Sequence, residues 1–507
     1  MRKWFSISLA AAAVAVAAGV SAEDYALVKD NAAASRIVLE ETAGPVEKHA
    51  AAELTLYLAK VTGAKIEVGN LPSPRLYNIY IGTVESRGIP LSGAMKSSLS
   101  KIAPEGFLLA ADADGVRIVG RQPIGALYGA YDVLKKCAGV RWFAPGADFE
   151  YCPKKPLVVI PGQVTVSNPS FAFRHLGFIC ANVTSRTIDS WDWLIRNGMV
   201  VHTSKRVYMM HRDALEERAA RISEGGHCFA YLLNDKLFDE HPEYFPMIDG
   251  KRVKQRPDSS WLTTNQPCTS NPKVREILTD GVKRFLDTPP AGGSYLIGNN
   301  DGTGWCQCDN CVRLDPPDEK QKRFVSTRYY TLVNQMVRDI YRTHPDADLW
   351  AWAYQNYRWP PSGIVPDKRL TIEACVHGRC YRHPMADSTC QANAWFREML
   401  SGWMKFGNKV MVREYDECLP GNPQYCPAER IYAQDIRYYH QLGLAGFSPI
   451  APPPDGTFGP RYTDAGKLDA DKGEMSLYGV KNAWYARWPI AFLPVAKTSI
   501  YLAAQLA

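Results

Sequence analysis

From about residue 171 onward, short runs rich in β-branched and aromatic residues alternate with amphipathic stretches, and this alternation restricts the fold more than any other feature. Strand-like runs fall at 173–178, 199–202, 227–232, 294–299, 349–354, 370–376, 409–413 and 445–449. Stretches with helical spacing at 271–286, 324–342, 391–406 and 428–441 lie between several of them. Strands joined through helices run parallel, because the helix is the crossover that returns the chain to the edge it left. Eight such strands in about 300 residues match the count and length of a (β/α)8 barrel. An open doubly wound sheet is the competing topology. It would carry a Gly-rich nucleotide loop after an early strand, and none follows these runs.

Residues 25–166 follow a shorter pattern. Gly44-Pro45 opens a helix with proline in its first turn, and Val46, Ala50, Leu54, Tyr57, Leu58 and Val61 form its apolar stripe up to Gly63. Runs at 78–81, 107–110 and 116–119 read as strands, a second helix spans 124–137 before Gly139, and 140–143 returns as a strand. Pro153, Pro156, Pro161 and Pro169 punctuate the exit. A chain of 507 residues exceeds one ordinary core. The expected organisation is therefore a small N-terminal α/β domain (23–167) followed by a (β/α)8 TIM-type barrel (168–507). The final nine residues, Ser499 to Ala507, stop inside an amphipathic pattern without a cap, so the barrel is expected to be truncated there.

Ahead of both regions, Arg2 and Lys3 precede an apolar, alanine-rich stretch from Trp4 to Val20, and Val20-Ser21-Ala22 supplies the small residues of a cleavage site. That order reads as a secretory signal peptide over 1–22, with a secreted or periplasmic product. No later segment approaches the ~20 continuous apolar residues of a membrane helix, so no membrane association is expected after cleavage. The net charge of +7 is small for this length and its residues are interspersed, without the clustered basic footprint of nucleic-acid binding.

In a barrel the loops after the strand C-termini build the site. The run 294–298 leads into Asn299-Asn300-Asp301-Gly302, and 409–413 leads into Glu414-Tyr415-Asp416. Carboxylates at two strand ends can face one another across the mouth, which suits glycoside hydrolysis: one acid protonates the leaving oxygen and the other serves as base or nucleophile. Asp301, Glu414 and Asp416 are the candidates. His227 and His377, with Asn300, are candidate substrate contacts. Trp305, Trp350, Trp352, Tyr354, Tyr357 and Trp359 cluster around two consecutive strand ends, and alternation puts Trp350, Trp352 and Tyr354 on one side of a strand. Of these, Trp305, Trp352 and Tyr354 are expected to offer flat faces to a sugar ring.

Thirteen cysteines are many for an exported chain, and an odd count leaves at least one unpaired. Cys306, Cys308 and Cys311 have C-x-C-x-x-C spacing, and Cys268 stands in Gln266-Pro267-Cys268-Thr269. The four read either as ligands of a structural zinc or as disulfide partners, and in both readings they staple the loop after the fourth strand. No other cofactor is expected.

The segments His241-Pro242-Glu243-Tyr244-Phe245-Pro246, Gly250-Lys251-Arg252, Gln266 to Pro272, and Asn300-Asp301 with Trp305 to Cys311 resemble the bacterial DUF4838 family. Ala51-Ala52-Glu53-Leu54, Glu105-Gly106-Phe107, Gly120, Leu127 to Tyr131 and Gly139 to Phe143 resemble the domain that precedes the barrel in α-glucuronidases and β-N-acetylhexosaminidases. The resemblance implies a glycoside-hydrolase-like barrel. In the hexosaminidases an Asp-Glu pair follows the fourth strand, whereas here Asn300-Asp301-Gly302 lacks the Glu. The glucuronidase plan, a strand-four acid opposed by carboxylates from later strands, corresponds by position to Asp301 with Glu414 and Asp416. The expected function is an exported glycoside hydrolase-like protein acting on an oligo- or polysaccharide. The alternative is a non-catalytic carbohydrate-binding protein on a glycosidase scaffold.

Overall fold

The computed structural model describes residues 24–143, 145–175, 177–178, 185–256, 264–415 and 429–451. The expected signal segment, Asp416, and the chain beyond 451 lie outside the described residues.

The N-terminal domain is built on a six-stranded mixed sheet, in the order Gln163–Ser167, Phe107–Asp112, Gly115–Gly120, Tyr77–Thr83, Ser35–Val38, Val68–Gly69. Helices Pro45–Thr62 and Pro123–Val133 pack together on one face and bury Leu54, Tyr57, Leu58, Leu127 and Tyr131. The first helix begins and ends as its sequence requires: Pro45 needs no donor at the first turn, and Gly63 closes the other end at φ 78°, which favours glycine. A smaller apolar layer, with Met95 from helix Gly93–Leu99 against Tyr80 and Leu108, covers the opposite face.

The second region is a parallel sheet of eight strands curled into a barrel. Around it run Phe173–Arg174, Gly446–Ala451, Val410–Glu414, Thr371–Cys375, Asp348–Ala353, Ser294–Gly298, Arg221–His227 and His202–Thr203. The first and second strands in sequence order meet where the Val200 N–H donates to the Arg174 carbonyl at 2.7 Å. Helices Pro272–Asp287, Ser326–Tyr341, Gln391–Met404 and Glu429–Gln441 supply crossovers.

Six of the eight strands lie where the sequence pattern puts them. The second, His202–Thr203, meets the expected run 199–202 only at its last residue. The third is displaced too. It runs Arg221–His227, and the expected run 227–232 is largely the short helix Phe229–Leu232. A brief apolar run has no periodicity that separates strand from buried helix. Gly225 and Gly226, with φ of 105° and 92°, sit within the strand. His227 therefore ends the strand instead of starting it, on the face where loops build a site.

The N-terminal domain covers the opposite end of the barrel near strands one to three. Glu105 pairs with Arg174 at 2.5 Å and with Arg221, and the Tyr128 hydroxyl donates to the Met199 carbonyl at 2.9 Å. Trp142 sits between Tyr57 and Tyr131, and its carbonyl accepts from the Trp193 indole at 3.2 Å, so the two regions share one apolar core. The mouth formed by the strand C-termini is left clear of this contact. No helix among the described residues is long and apolar enough to cross a membrane.

Candidate active site at the barrel mouth

Strand alternation decides which side chains enter the barrel. On strand five Trp350, Trp352 and Tyr354 point inward at rising height. Trp350 packs with Phe173 and Met411 deep in the interior. Trp352 lies above it, where its indole N–H donates to Glu373 at 2.6 Å and its ring contacts His227, centroids 4.5 Å apart. Gly298 makes room for this indole, since a Cβ there would come within 2.9 Å of the ring. On strand seven the inward residues are Met411, Arg413 and then Tyr415. Arg413 pairs with Glu373 at 3.1 Å and its guanidinium lies over the Trp352 and Tyr415 rings.

By the same parity Glu414 points outward. Its side chain is fully buried between strand and helix, accepting from Arg379 at 2.8 Å, Tyr381 at 2.8 Å and Tyr439 at 2.5 Å. Arg379 also pairs with Asp435 at 2.6 Å. The expected placement of Glu414 at the mouth is thus corrected: its carboxylate is a saturated element of a buried ion network. Asp416 lies outside the described residues.

Asp301, just beyond strand four, does reach the mouth, with its side chain 31% exposed. One oxygen, Oδ1, accepts from Gln355 Nε2 at 3.0 Å and stands 3.7 Å from His227 Nε2. The other ring nitrogen of His227 is 2.7 Å from the Asn299 carbonyl. A carbonyl only accepts, so Nδ1 carries a proton and, in the neutral ring, the Nε2 lone pair faces Asp301. Burial favours that neutral ring and lowers its pKa, while the Asp301 charge opposes the shift. His377 and Tyr415 meet edge to face at 5.0 Å, and Tyr354 lies 6.2 Å from each. Burial and the Arg358 charge lower the pKa of His377, again opposed by Asp301.

Two other expected contacts have structural partners instead. Asn300 is buried, accepting from the Ala230 N–H at 2.8 Å and donating to Gln255 at 2.9 Å and to the Asn265 carbonyl at 2.8 Å. It fixes the loop that carries Asp301 and has no face for substrate. Trp305 is buried behind the wall against Tyr329 and Tyr357, with its indole N–H on Asn356 at 3.0 Å. Glu373, Arg413, Gln355 and Tyr415 were not among the sequence candidates. The run Val410–Glu414 is apolar on both faces, so its sequence carried no signal for Arg413 or Tyr415, and Gln355 had none either.

The sulfurs of Cys268, Cys306, Cys308 and Cys311 all lie within 4.8 Å of one another, beside the same loop. A second, three-membered group, Cys380, His383 and Cys390, stands after strand six.

The profile described as "Domain of unknown function (DUF4838)" matches residues 144–449. The chain belongs to the DUF4838 family. The profile "Glycosyl hydrolase family 67 N-terminus" matches residues 22–133, ahead of the DUF4838 barrel. No curated protein sequence matches the chain. Among solved structures, it is similar to a family GH115 4-O-methyl-α-glucuronidase with specificity for decorated arabinogalactans. The TM-score is 0.51 at 14% identity, covering 85% of this chain and 55% of that one. The chain thus spans little more than half of that enzyme. The GH20 β-N-acetylhexosaminidase of Streptomyces coelicolor A3(2) gives TM-score 0.51 at 14% identity, over 87% of this chain and 86% of that one. For the Streptomyces plicatus N-acetyl-β-hexosaminidase the values are 0.50, 13%, 86% and 85%. These likenesses show the barrel fold alone and leave the chemistry to the site.

Proposed function

We propose that this DUF4838 protein is an exported glycoside hydrolase in which Asp301 protonates the glycosidic oxygen. The observation that carries the reading is Asp301 itself: a partly exposed carboxyl at the end of strand four, braced by Gln355 and facing His227 at 3.7 Å. Gln355 occupies Oδ1, so Oδ2 is the oxygen that delivers the proton. His227, Tyr354 and His377 line the mouth as substrate contacts, and Trp352 forms its floor with Arg413. Asp416, next in sequence to Tyr415, is the proposed base or nucleophile, and its separation from Asp301 would decide inversion or retention. Glu414 has no part in this chemistry. The signal-like segment 1–22 supports a secreted or periplasmic location, and with it an environmental or envelope glycan as substrate.

A second reading, non-catalytic glycan binding, draws support from one fact: among the described residues, Asp301 is the carboxylate placed at the mouth with side-chain exposure, while Glu373 and Glu414 are buried and paired. A screen on aryl glycosides and uronic-acid oligosaccharides, with Asp301→Asn and Asp416→Asn, separates the two. The enzyme reading expects turnover that falls by about 10²–10⁴ in Asp301→Asn while binding persists. Tight binding with no turnover by the parent protein on any glycan would establish the second reading instead.

A further inference from the structure

Four cysteine sulfurs converge where two loops meet. Cys268 belongs to the loop before helix Pro272–Asp287, and Cys306, Cys308 and Cys311 belong to the loop after strand four. Cys268 Sγ stands 3.7 Å from Cys308 Sγ and 3.7 Å from Cys311 Sγ. A disulfide would bring two sulfurs to about 2.0 Å. A zinc ion with Zn–S bonds of about 2.3 Å in tetrahedral geometry instead sets its sulfurs about 3.8 Å apart. The surroundings also suit thiolates. The Met247 N–H points at Cys306 Sγ from 3.3 Å and Arg252 Nη1 from 3.6 Å. The Ser270 hydroxyl is 3.1 Å from Cys311 Sγ, and that of Thr269 is 3.6 Å away. The Met247 and Arg252 N–H groups are donors of the kind that stabilise the excess negative charge of a four-thiolate site. Cys268, Cys306 and Cys311 are buried and no carboxylate or imidazole joins the group, which is the donor set of a closed structural centre.

We propose that Cys268, Cys306, Cys308 and Cys311 bind one structural Zn²⁺ that locks the loop carrying Asp301 onto its neighbour. On binding, the four thiols become thiolates and four protons pass to solvent, giving a Zn(S)4 centre of net charge −2. The lock reaches the mouth through a short, directly bonded path. The Thr264 hydroxyl donates to the Asp301 carbonyl at 2.6 Å, and Gln266 Nε2 donates to the carbonyls of Asn300 and Gly302, both at 2.8 Å. Cys268 follows Gln266 by two residues, and Cys306 follows Asp301 by five. The metal site stands on its own geometry; only its effect on turnover rests on the hydrolase reading.

The test is metal analysis of the full-length protein purified without metal-affinity resin, with Co²⁺ substitution and the variants Cys308→Ser and Cys380→Ser. Zinc is expected at the cysteine group, and the Co²⁺ form should show the thiolate charge-transfer and intense visible bands of a tetrahedral sulfur site. Cys308→Ser should weaken or abolish both, while Cys380→Ser leaves the sulfur bands intact. Absence of bound metal, iron in place of zinc, or a disulfide among the four in peptides mapped without reduction would overturn the proposal. Because Co²⁺ is read on the parent protein, a variant that fails to fold does not spare the idea. A zinc-loaded protein with no glycosidase activity would reject the hydrolase reading and leave the metal site standing.

Discussion

Replacing Glu414 by Ala separates a buried ion network from a catalytic carboxylate. The side chains of Glu414, Arg379 and Asp435 are all fully buried, and Glu414 accepts three hydrogen bonds, from Arg379, Tyr381 and Tyr439. The substitution leaves two tyrosine hydroxyls without this acceptor, each costing about 1–3 kcal/mol, and removes one of the two carboxylates that neutralise Arg379. Asp435 still holds the guanidinium, so the expected loss is that of a broken buried pair, about 3–5 kcal/mol, without a wholly orphaned charge. For a unit of this size that is a fall in Tm on the order of 10 °C. Thermal unfolding followed by circular dichroism reads the loss, and kcat measured at a temperature where the variant is folded should stay within about threefold of the parent. An unchanged Tm with turnover reduced a hundredfold would refute the assignment and return Glu414 to the mouth.

Two further outcomes follow from the same packing. Burial, opposed by Arg379 and reinforced by the Glu414 charge, pushes the Asp435 carboxyl up to about 6. A carboxyl raised on folding contributes stability that is fully present below its ordinary value near 4 and is lost as pH rises through about 6. The Tm of the parent relative to Asp435→Asn should therefore fall between pH 4.5 and 7, and a pH-independent difference would contradict this. Asn300→Ala removes three buried hydrogen bonds from the Asp301 loop and should cost about 2–4 kcal/mol, with kcat reduced more than KM is raised. A variant with parental Tm and kcat would show that the loop is held by other means.

The barrel was legible because strand–helix alternation is a long-range pattern that survives errors at single elements. The orientation of strand seven was not. Val410, Met411 and Val412 are apolar on both faces, as strands buried on two sides are, so nothing in the run told whether Arg413 or Glu414 faces inward. Strand three misled for a related reason: the apolar run from His227 looked like a strand, and it is largely the helix Phe229–Leu232. Asn300 and Trp305 carry polar and aromatic groups suited to a sugar, but hydrogen-bond partners distant in sequence, Gln255 and Asn356, take them up. The C-x-C-x-x-C spacing was visible in the sequence and Cys268 was one candidate for a fourth partner, and the structure brings all four sulfurs together.

The most direct test of Asp301 as proton donor is the leaving-group dependence of Asp301→Ala. A dinitrophenyl glycoside departs without protonation, whereas a sugar or alkyl leaving group needs it. Asp301→Ala should lose about 10²–10⁴ in kcat/KM on the unactivated glycoside and little on the dinitrophenyl glycoside. Equal losses on both would mean that Asp301 only holds the mouth in shape, and parental activity on both would remove it from the reaction.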